Sequence, residues 1–478
     1  KIRTGLVMAD ASASHGEPDE CDDDDGEAAL LLSHAHAPPA PLTFSSHDMH
    51  LHVELPSSST STSLEDDSIR RKRRSVSYVL CFVCMGLAVG STGPAFADIT
   101  KHIHVNLSPA FVARGAGGIM GGTLGGLILQ KFNTKGHAIV AAGAASTALA
   151  ALLIPQARVL WQAGVALFLL DAGCGLLQQA NTLIVWAQPT NRHTIWLNIL
   201  NGTFGFGSLL APLAVAAVAF MFQLNHQTAV CYASTGAAAV ALASGVGLVS
   251  IDSPTQPKIT TTTSSSSSPS SPSSPTPSSS YGRQIVQVIA TALALNASVG
   301  AETTFGAFAE AYVIGQQTKH PGRLANISES ERDILSSAFW CSFTFGRFAC
   351  AFALDRYIQR KATKGAEEIA LLMQAFLALV GALMPVVAPA SRAALWASAL
   401  CVGAGVAGLV AGFLAQVARA MPVSGNVAAA TALGTMTGVS LWQTITTALG
   451  AEHMMEIISV ATGVALVIQA CFVAEKLT

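Results

Sequence analysis

The chain has 478 residues, of which 51% are hydrophobic and 11% charged, less than half of the roughly 25% charged fraction of ordinary soluble domains. Its formal net charge of −2 excludes nucleic-acid binding by bulk electrostatics. The mean hydropathy of +0.48 excludes a water-soluble globule and points to lipid as the solvent. The nine cysteines are scattered through apolar runs and form no framework of the kind that staples small secreted domains. Cys81 and Cys84 have redox spacing without the strand and helix setting of a redox site, so they read as lipid-buried thiols.

Residues 1–74 are polar and irregular. Acidic residues between Asp19 and Glu27, the histidines His34, His36, His47, His50 and His52, a Ser/Thr run and the basic block Arg70–Arg74 offer too little apolar surface to order a fold. This segment is expected to be a disordered cytoplasmic tail. It lacks the early apolar core of a signal peptide, so membrane entry is expected to rest on the first span.

From Ser77 onward twelve apolar runs recur, at 77–98, 108–129, 137–154, 159–186, 196–221 and 228–250, then 284–314, 334–354, 367–388, 392–417, 427–449 and 454–473. Each is near the roughly 20 residues that cross about 30 Å of hydrocarbon as a helix. They are too long and too uniformly apolar to be the alternating strands of a membrane barrel. Between the sixth and seventh runs, residues 251–283 are rich in Ser, Thr and Pro and read as a linker. The expected fold is an all-α membrane protein of twelve transmembrane helices in two pseudo-symmetric six-helix bundles, 75–250 and 284–478. Most bases that flank the runs, among them Arg70–Arg74, Lys131, Lys135, Arg356 and Arg360, fall on one side. The positive-inside rule makes that side cytoplasmic, together with both termini and the linker. The sequon at Asn326-Ile327-Ser328 then lies outside, as expected for a protein of the plasma membrane or an endomembrane.

An ionisable group at mid-bilayer costs at least about 2.5–3.5 kcal/mol, so it faces a cavity or a partner. Glu302, midway along the seventh run, is the leading candidate: its carboxylate can accept solute hydroxyls, hold a coupling cation or bond a neighbouring helix. Gln178 and Asn181 are three residues apart and share a helix face. Their amides both donate and accept, which suits a polyhydroxylated solute. Asn201, Trp340 and Gln443 complete the candidate lining, each with packing as its alternative, and Arg114 is expected to pair structurally with Asp171. There is no His-Glu-x-x-His and no phosphate-binding Gly-x-x-x-x-Gly-Lys-Ser/Thr. No catalytic or metal-ligating set emerges, so the chain is expected not to be an enzyme and not to be driven by ATP.

The sequence also repeats internally. The second run ends Gly121, eight residues, Gln130-Lys131-Phe132, and the eighth ends Gly346, eight residues, Asp355-Arg356-Tyr357. Each stands at the inner end of the second helix of its half, as a duplicated six-helix unit requires. Here the chain resembles the major facilitator superfamily, which carries a Gly-rich helix end followed by Asp-Arg at this place. The resemblance implies that Gln130, Lys131, Asp355 and Arg356 work at a cytoplasmic gate. Arg347, about 12 Å along the helix from Asp355, is expected to snorkel toward that gate. The blocks Gly93-Pro94 to Asp98, Phe111 to Arg114, Asn201 to Gly207, Gly300-Ala301-Glu302 and Phe339-Trp340 to Gly346-Arg347 are similar to those of the sodium-dependent glucose transporter-like branch and, more distantly, of the fucose–proton symporters. Gln130 stands where the superfamily has Asp, Leu177 where many relatives carry an acid, and Asn201 where His is common. The resemblance implies a transporter of a small polar solute, a hexose, working as a monomer in the lipid bilayer by alternating access. It implies no cofactor beyond coupling Na⁺ or H⁺. The alternatives are a non-transporting membrane solute sensor and a carrier of a different organic solute.

Overall fold

In hydrocarbon every backbone N–H and C=O must be satisfied within its own segment, and long apolar runs meet that demand by forming helices. The computed structural model describes residues 60–92, 108–189, 192–224, 226–256, 278–320, 327–360, 365–389 and 391–477. Its first half holds α1 (Thr60–Gly90), α2 (Ser108–Lys131), α3 (Gly136–Leu153), α4 (Leu160–Leu177), α5 (Gln179–Ala187), α6 (His193–Phe222) and α7 (His226–Val249). The second half holds α8 (Ser278–Lys319), α9 (Glu329–Arg360), α10 (Ala366–Val387), α11 (Arg392–Ala407), α12 (Leu409–Ala420), α13 (Gly425–Leu449) and α14 (Met454–Leu477).

Among the described residues, ten helical stretches are long and apolar enough to cross a membrane, α4 with α5 and α11 with α12 each counting as one. The helices α9, of 32 residues, and α13, of 25, are as long but are not among these ten. Both pack among the ten, which completes the twelve spans read from the sequence. Two boundaries shift. Helix α1 starts at Thr60 and α8 at Ser278, earlier than the expected tail and linker limits at 74 and 283. Once a membrane helix is nucleated, each added residue gains a hydrogen bond at little cost, so it propagates beyond its apolar stretch. The tail before residue 60 and the connection over 257–277 lie outside the described residues.

Each element of the first half has its counterpart seven labels later, and the contacts repeat accordingly. Helix α1 packs on α6 and α7 as α8 packs on α13 and α14; α2 packs on α4 as α9 packs on α11; α3 packs on α4 and α7 as α10 packs on α11 and α14. The principal contacts between halves, α2 with α13 and α6 with α9, are exchanged by the same relation. The halves are thus related by a pseudo-two-fold axis. Even the helix breaks correspond, at Gln178 between α4 and α5 and at Gly408 between α11 and α12.

Small residues make the closest crossings possible. A Cβ at Gly121 would run into the Ala172 carbonyl across the α2–α4 crossing, and one at Gly207 into the Val83 carbonyl across α6–α1. Without a hydrophobic force between helices in lipid, such close van der Waals packing is what holds a bundle together. The outward faces carry apolar side chains such as Phe220 (86% exposed), Val387 (83%) and Val246 (73%), a surface that suits lipid and not water.

Candidate functional site

The few ionisable groups deep in the bundle converge on the axis between the halves. Arg114 donates from Nε to Asp171 Oδ2 at 3.0 Å, joining α2 to α4. Arg347 donates from Nη2 to Glu302 Oε2 at 3.1 Å, joining α9 to α8. All four residues line one cavity of about 520 Å³, which Gln178, Asn201 and Phe204 of the first half and Thr303, Val410 and Thr435 of the second also border. Two cations face two anions, so the walls are charge-balanced. Burial of these ions is tolerable because each has its counter-ion at hydrogen-bonding distance.

At the end of the bundle near Ser108 the cavity is roofed by contacts that cross between halves. Arg114 donates from Nη1 to Gln443 Oε1 at 3.3 Å, and Gln443 in turn donates from Nε2 to the Thr303 carbonyl at 3.1 Å. Beyond them the rings of Phe111 and Phe308 lie 5.7 Å apart. Toward the Lys131 end the floor is a set of amides. Asn181 donates to Gln178 Oε1 at 2.6 Å and accepts from Asn201 Nδ2 at 3.0 Å. Below them lies a second space of about 450 Å³, again between halves, bordered by Gln178 and Thr435, which also line the first, and by Asn181, Val423 and Thr431.

At the Lys131 end of that second space the halves are joined. Trp186 donates from Nε1 to the Val423 carbonyl at 2.8 Å, and the Gly425 amide donates to Gln130 Oε1 at 2.8 Å. At the same end Arg419 pairs with Glu367 at 2.7 Å, and the Thr194 hydroxyl donates to the other oxygen of that carboxylate at 3.0 Å. Contacts between the halves therefore stand at both ends of the two spaces among the described residues.

The solved structures share this architecture. A variant of the E. coli fucose:proton symporter FucP superposes with a TM-score of 0.59 at 16% sequence identity, over 83% of this chain and 98% of that one. FucP in the outward conformation, described as a Major Facilitator Superfamily transporter, gives a TM-score of 0.56 at 16% identity, over 83% and 99%. The chain has the major facilitator fold. No protein-family model matches it. Among curated proteins, the sodium-dependent glucose transporter 1 of Danio rerio is 26% identical over 146 residues, 29% of this chain. The match spans about a quarter (24%) of that relative's length.

Within this major facilitator fold, Glu302, Gln178 and Asn201 line the first cavity, whereas Asn181 lines the second. Gln443 is buried in the roof. Trp340 stands behind the cavity wall in an aromatic cluster, 5.1 Å from Phe339, 5.5 Å from Phe343 and 5.9 Å from Phe204 by ring centroids. Arg347 does not reach toward the inner end, as its spacing from Asp355 led us to expect. It turns to Glu302 and lies over the Phe343 ring, 4.1 Å from the centroid, because a counter-ion one helix away removes the need to reach water. Of the four expected gate residues, Gln130 makes a contact between halves, Lys131 lies over the neighbouring Phe132 ring, and Arg356 is exposed. The Asp355 side chain lies outside the described residues.

Sequence reasoning passed over Thr303, Thr435 and the Thr194–Glu367–Arg419 group. Glu367 and Arg419 stand at the same inner level of adjoining runs, and opposite charges at one depth were the available signal. The threonines gave none, since a hydroxyl satisfied by its own helix, as Thr303 is by the Val299 carbonyl and Thr435 by the Thr431 carbonyl, is ordinary in any membrane helix.

Proposed function

We propose that the protein is a secondary transporter that carries a small, neutral, polyhydroxylated solute, a hexose-type sugar, across the membrane by alternating access. The observation that carries this reading is the charge-balanced cavity between the two related halves, with contacts toward each end that join the halves and would have to exchange as they rock. A net-neutral wall leaves no charge to neutralise an ionic solute, while its amides, guanidinium and carboxylate groups serve hydroxyls well. The names of the relatives, a fucose:proton symporter and a sodium-dependent glucose transporter, support sugar as the class and H⁺ or Na⁺ as the coupling ion.

The Lys131 end is assigned to the cytoplasm, with both chain termini, and the transport unit is a monomer. The test is uptake of labelled fucose and glucose into proteoliposomes under an imposed H⁺ or Na⁺ gradient, for the full chain and for Glu302→Gln. Saturable uptake that one gradient accelerates and the substitution abolishes is expected. Failure to move any neutral sugar under either gradient would overturn the reading, and sugar binding without flux would favour a sensor.

A further inference from the structure

Arg347 is the largest of the fully buried side chains among the described residues, 1% exposed, and it lines the cavity. Its ion pair uses one nitrogen, Nη2. Among the described residues, Nε and Nη1 have no hydrogen-bond partner. A buried charged donor left unpaired is costly, and two on one guanidinium beside a cavity call for an acceptor that the protein does not itself provide. Glu302 complements them. Its Oε2 takes the ion pair, which leaves the second carboxylate oxygen for a donor from the cavity.

We propose that the Glu302–Arg347 pair is the recognition element for two adjacent hydroxyls of the solute, a vicinal diol. One diol oxygen accepts from Arg347 while a diol proton is donated to Glu302. The end-on fork of the guanidinium is Nη1 with Nη2; with Nη2 on Glu302, a diol oxygen that accepts from Nη1 would stand beside the carboxylate that takes the neighbouring proton. Phe343, beneath the guanidinium plane, and the Glu302 bond fix its orientation before the solute arrives, so that less entropy is lost on binding. A carboxylate would also fit such a fork. Here Glu302 already neutralises Arg347 and would repel a second anion, so the pair favours an uncharged diol over an acid. This role differs from a place at the inner gate, and it makes the second half the side that reads the hydroxyl pattern. The inference rests on the transport reading above and names the atoms that would serve it.

The experiment is equilibrium binding to the purified full chain in detergent, using whichever of fucose and glucose binds together with its series of monodeoxy derivatives. In the wild type, removal of either of two adjacent hydroxyls should weaken binding about 10-fold or more, as expected for hydrogen bonds to charged groups, with smaller losses elsewhere on the ring. Arg347→Lys keeps the charge but loses the fork, and it should flatten this profile so that those two positions no longer stand out. A wild-type profile with its losses spread evenly, or centred on non-adjacent positions, overturns the proposal and leaves the transport reading standing. The same holds if Arg347→Lys keeps the wild-type profile. Should Arg347→Lys fail to fold, the wild-type deoxy profile decides. If the folded wild type binds no sugar in any assay, both readings fall.

Discussion

The Glu302–Arg347 pair can be weighed by a double-substitution cycle. Its side chains are 4% and 1% exposed, so solvent screening is slight. Removing one partner from such a pair costs about 3–5 kcal/mol, most of it the penalty of the charge left behind. The neighbouring space of about 520 Å³ lets water reach the orphaned group, which puts Glu302→Gln and Arg347→Gln at the lower end, about 3 kcal/mol each. The double variant removes both charges and leaves two amides able to bond each other. It should lose only about 1 kcal/mol and so recover several kcal/mol relative to the sum of its parents. Thermal unfolding in detergent can be followed with a thiol-reactive dye, because Cys81, Cys84 and Cys174 are buried and react as the bundle opens. If the two single losses simply add in the double variant, within about 0.5 kcal/mol, the two residues do not form a buried ion pair and the charge-balance argument fails.

Packing of the α2–α4 crossing should be equally exacting. Gly121→Val, forced against the Ala172 carbonyl, should cost at least the roughly 1–3 kcal/mol of overpacking, while Gly463→Ala, with open space around it, should be neutral in the same unfolding assay. Gln443→Leu removes the link between Arg114 and the Thr303 carbonyl. In a background freed of native cysteines, a cysteine placed at Met436 should then react several-fold faster with a thiol reagent applied from the Ser108 side, and an unchanged rate would show that the roof is held by other contacts. His137 donates from Nδ1 to the Ile251 carbonyl at 2.7 Å, so its Nε2 accepts from the Tyr78 hydroxyl at 2.6 Å. His137→Phe orphans both partners and should cost about 1–3 kcal/mol, with faster proteolysis just after Ile251 as the local readout.

Most of the architecture was legible because its cause is solvent. Long apolar runs must be helical in lipid, and their number, the linker and the doubled Gly-to-Arg pattern each follow from one-dimensional features. Helix breaks at Gln178 and Gly408 were not legible, since neither position carries proline and both arise where packed helices bend around the cavity. For the site, Arg114 and Asp171 could be paired because two ionisable groups at one depth in adjoining runs have few alternatives. The rotation of α9 that turns Arg347 toward α8 is a tertiary fact. Spacing along a helix fixes height and face relative to other residues of that helix, but not which neighbour the face meets. The same limit applies to Trp340, whose position in the span was readable and whose place behind Phe339 and Phe343 was not.

The pseudo-symmetry constrains backbone and side chains differently, and that difference explains why the two halves contribute unlike chemistry. Crossings such as α1–α6 and α2–α4 depend on absent side chains, as at Gly207 and Gly121, where added atoms would meet a backbone carbonyl. Their counterparts repeat because the helix pairing repeats. The cavity wall is under no such demand. In the first half the buried base on α2 finds its acid on α4, whereas in the second the base on α9 finds its acid on α8. One pair therefore bridges to the opposite half through Gln443, while the other keeps two buried donors without a partner among the described residues. An exchange of mouths about a two-fold axis needs only the repeated backbone. On the transport reading proposed above, selection of a solute would fall to the asymmetric wall, in which one ion pair also joins the halves and the other leaves two buried donors without a partner.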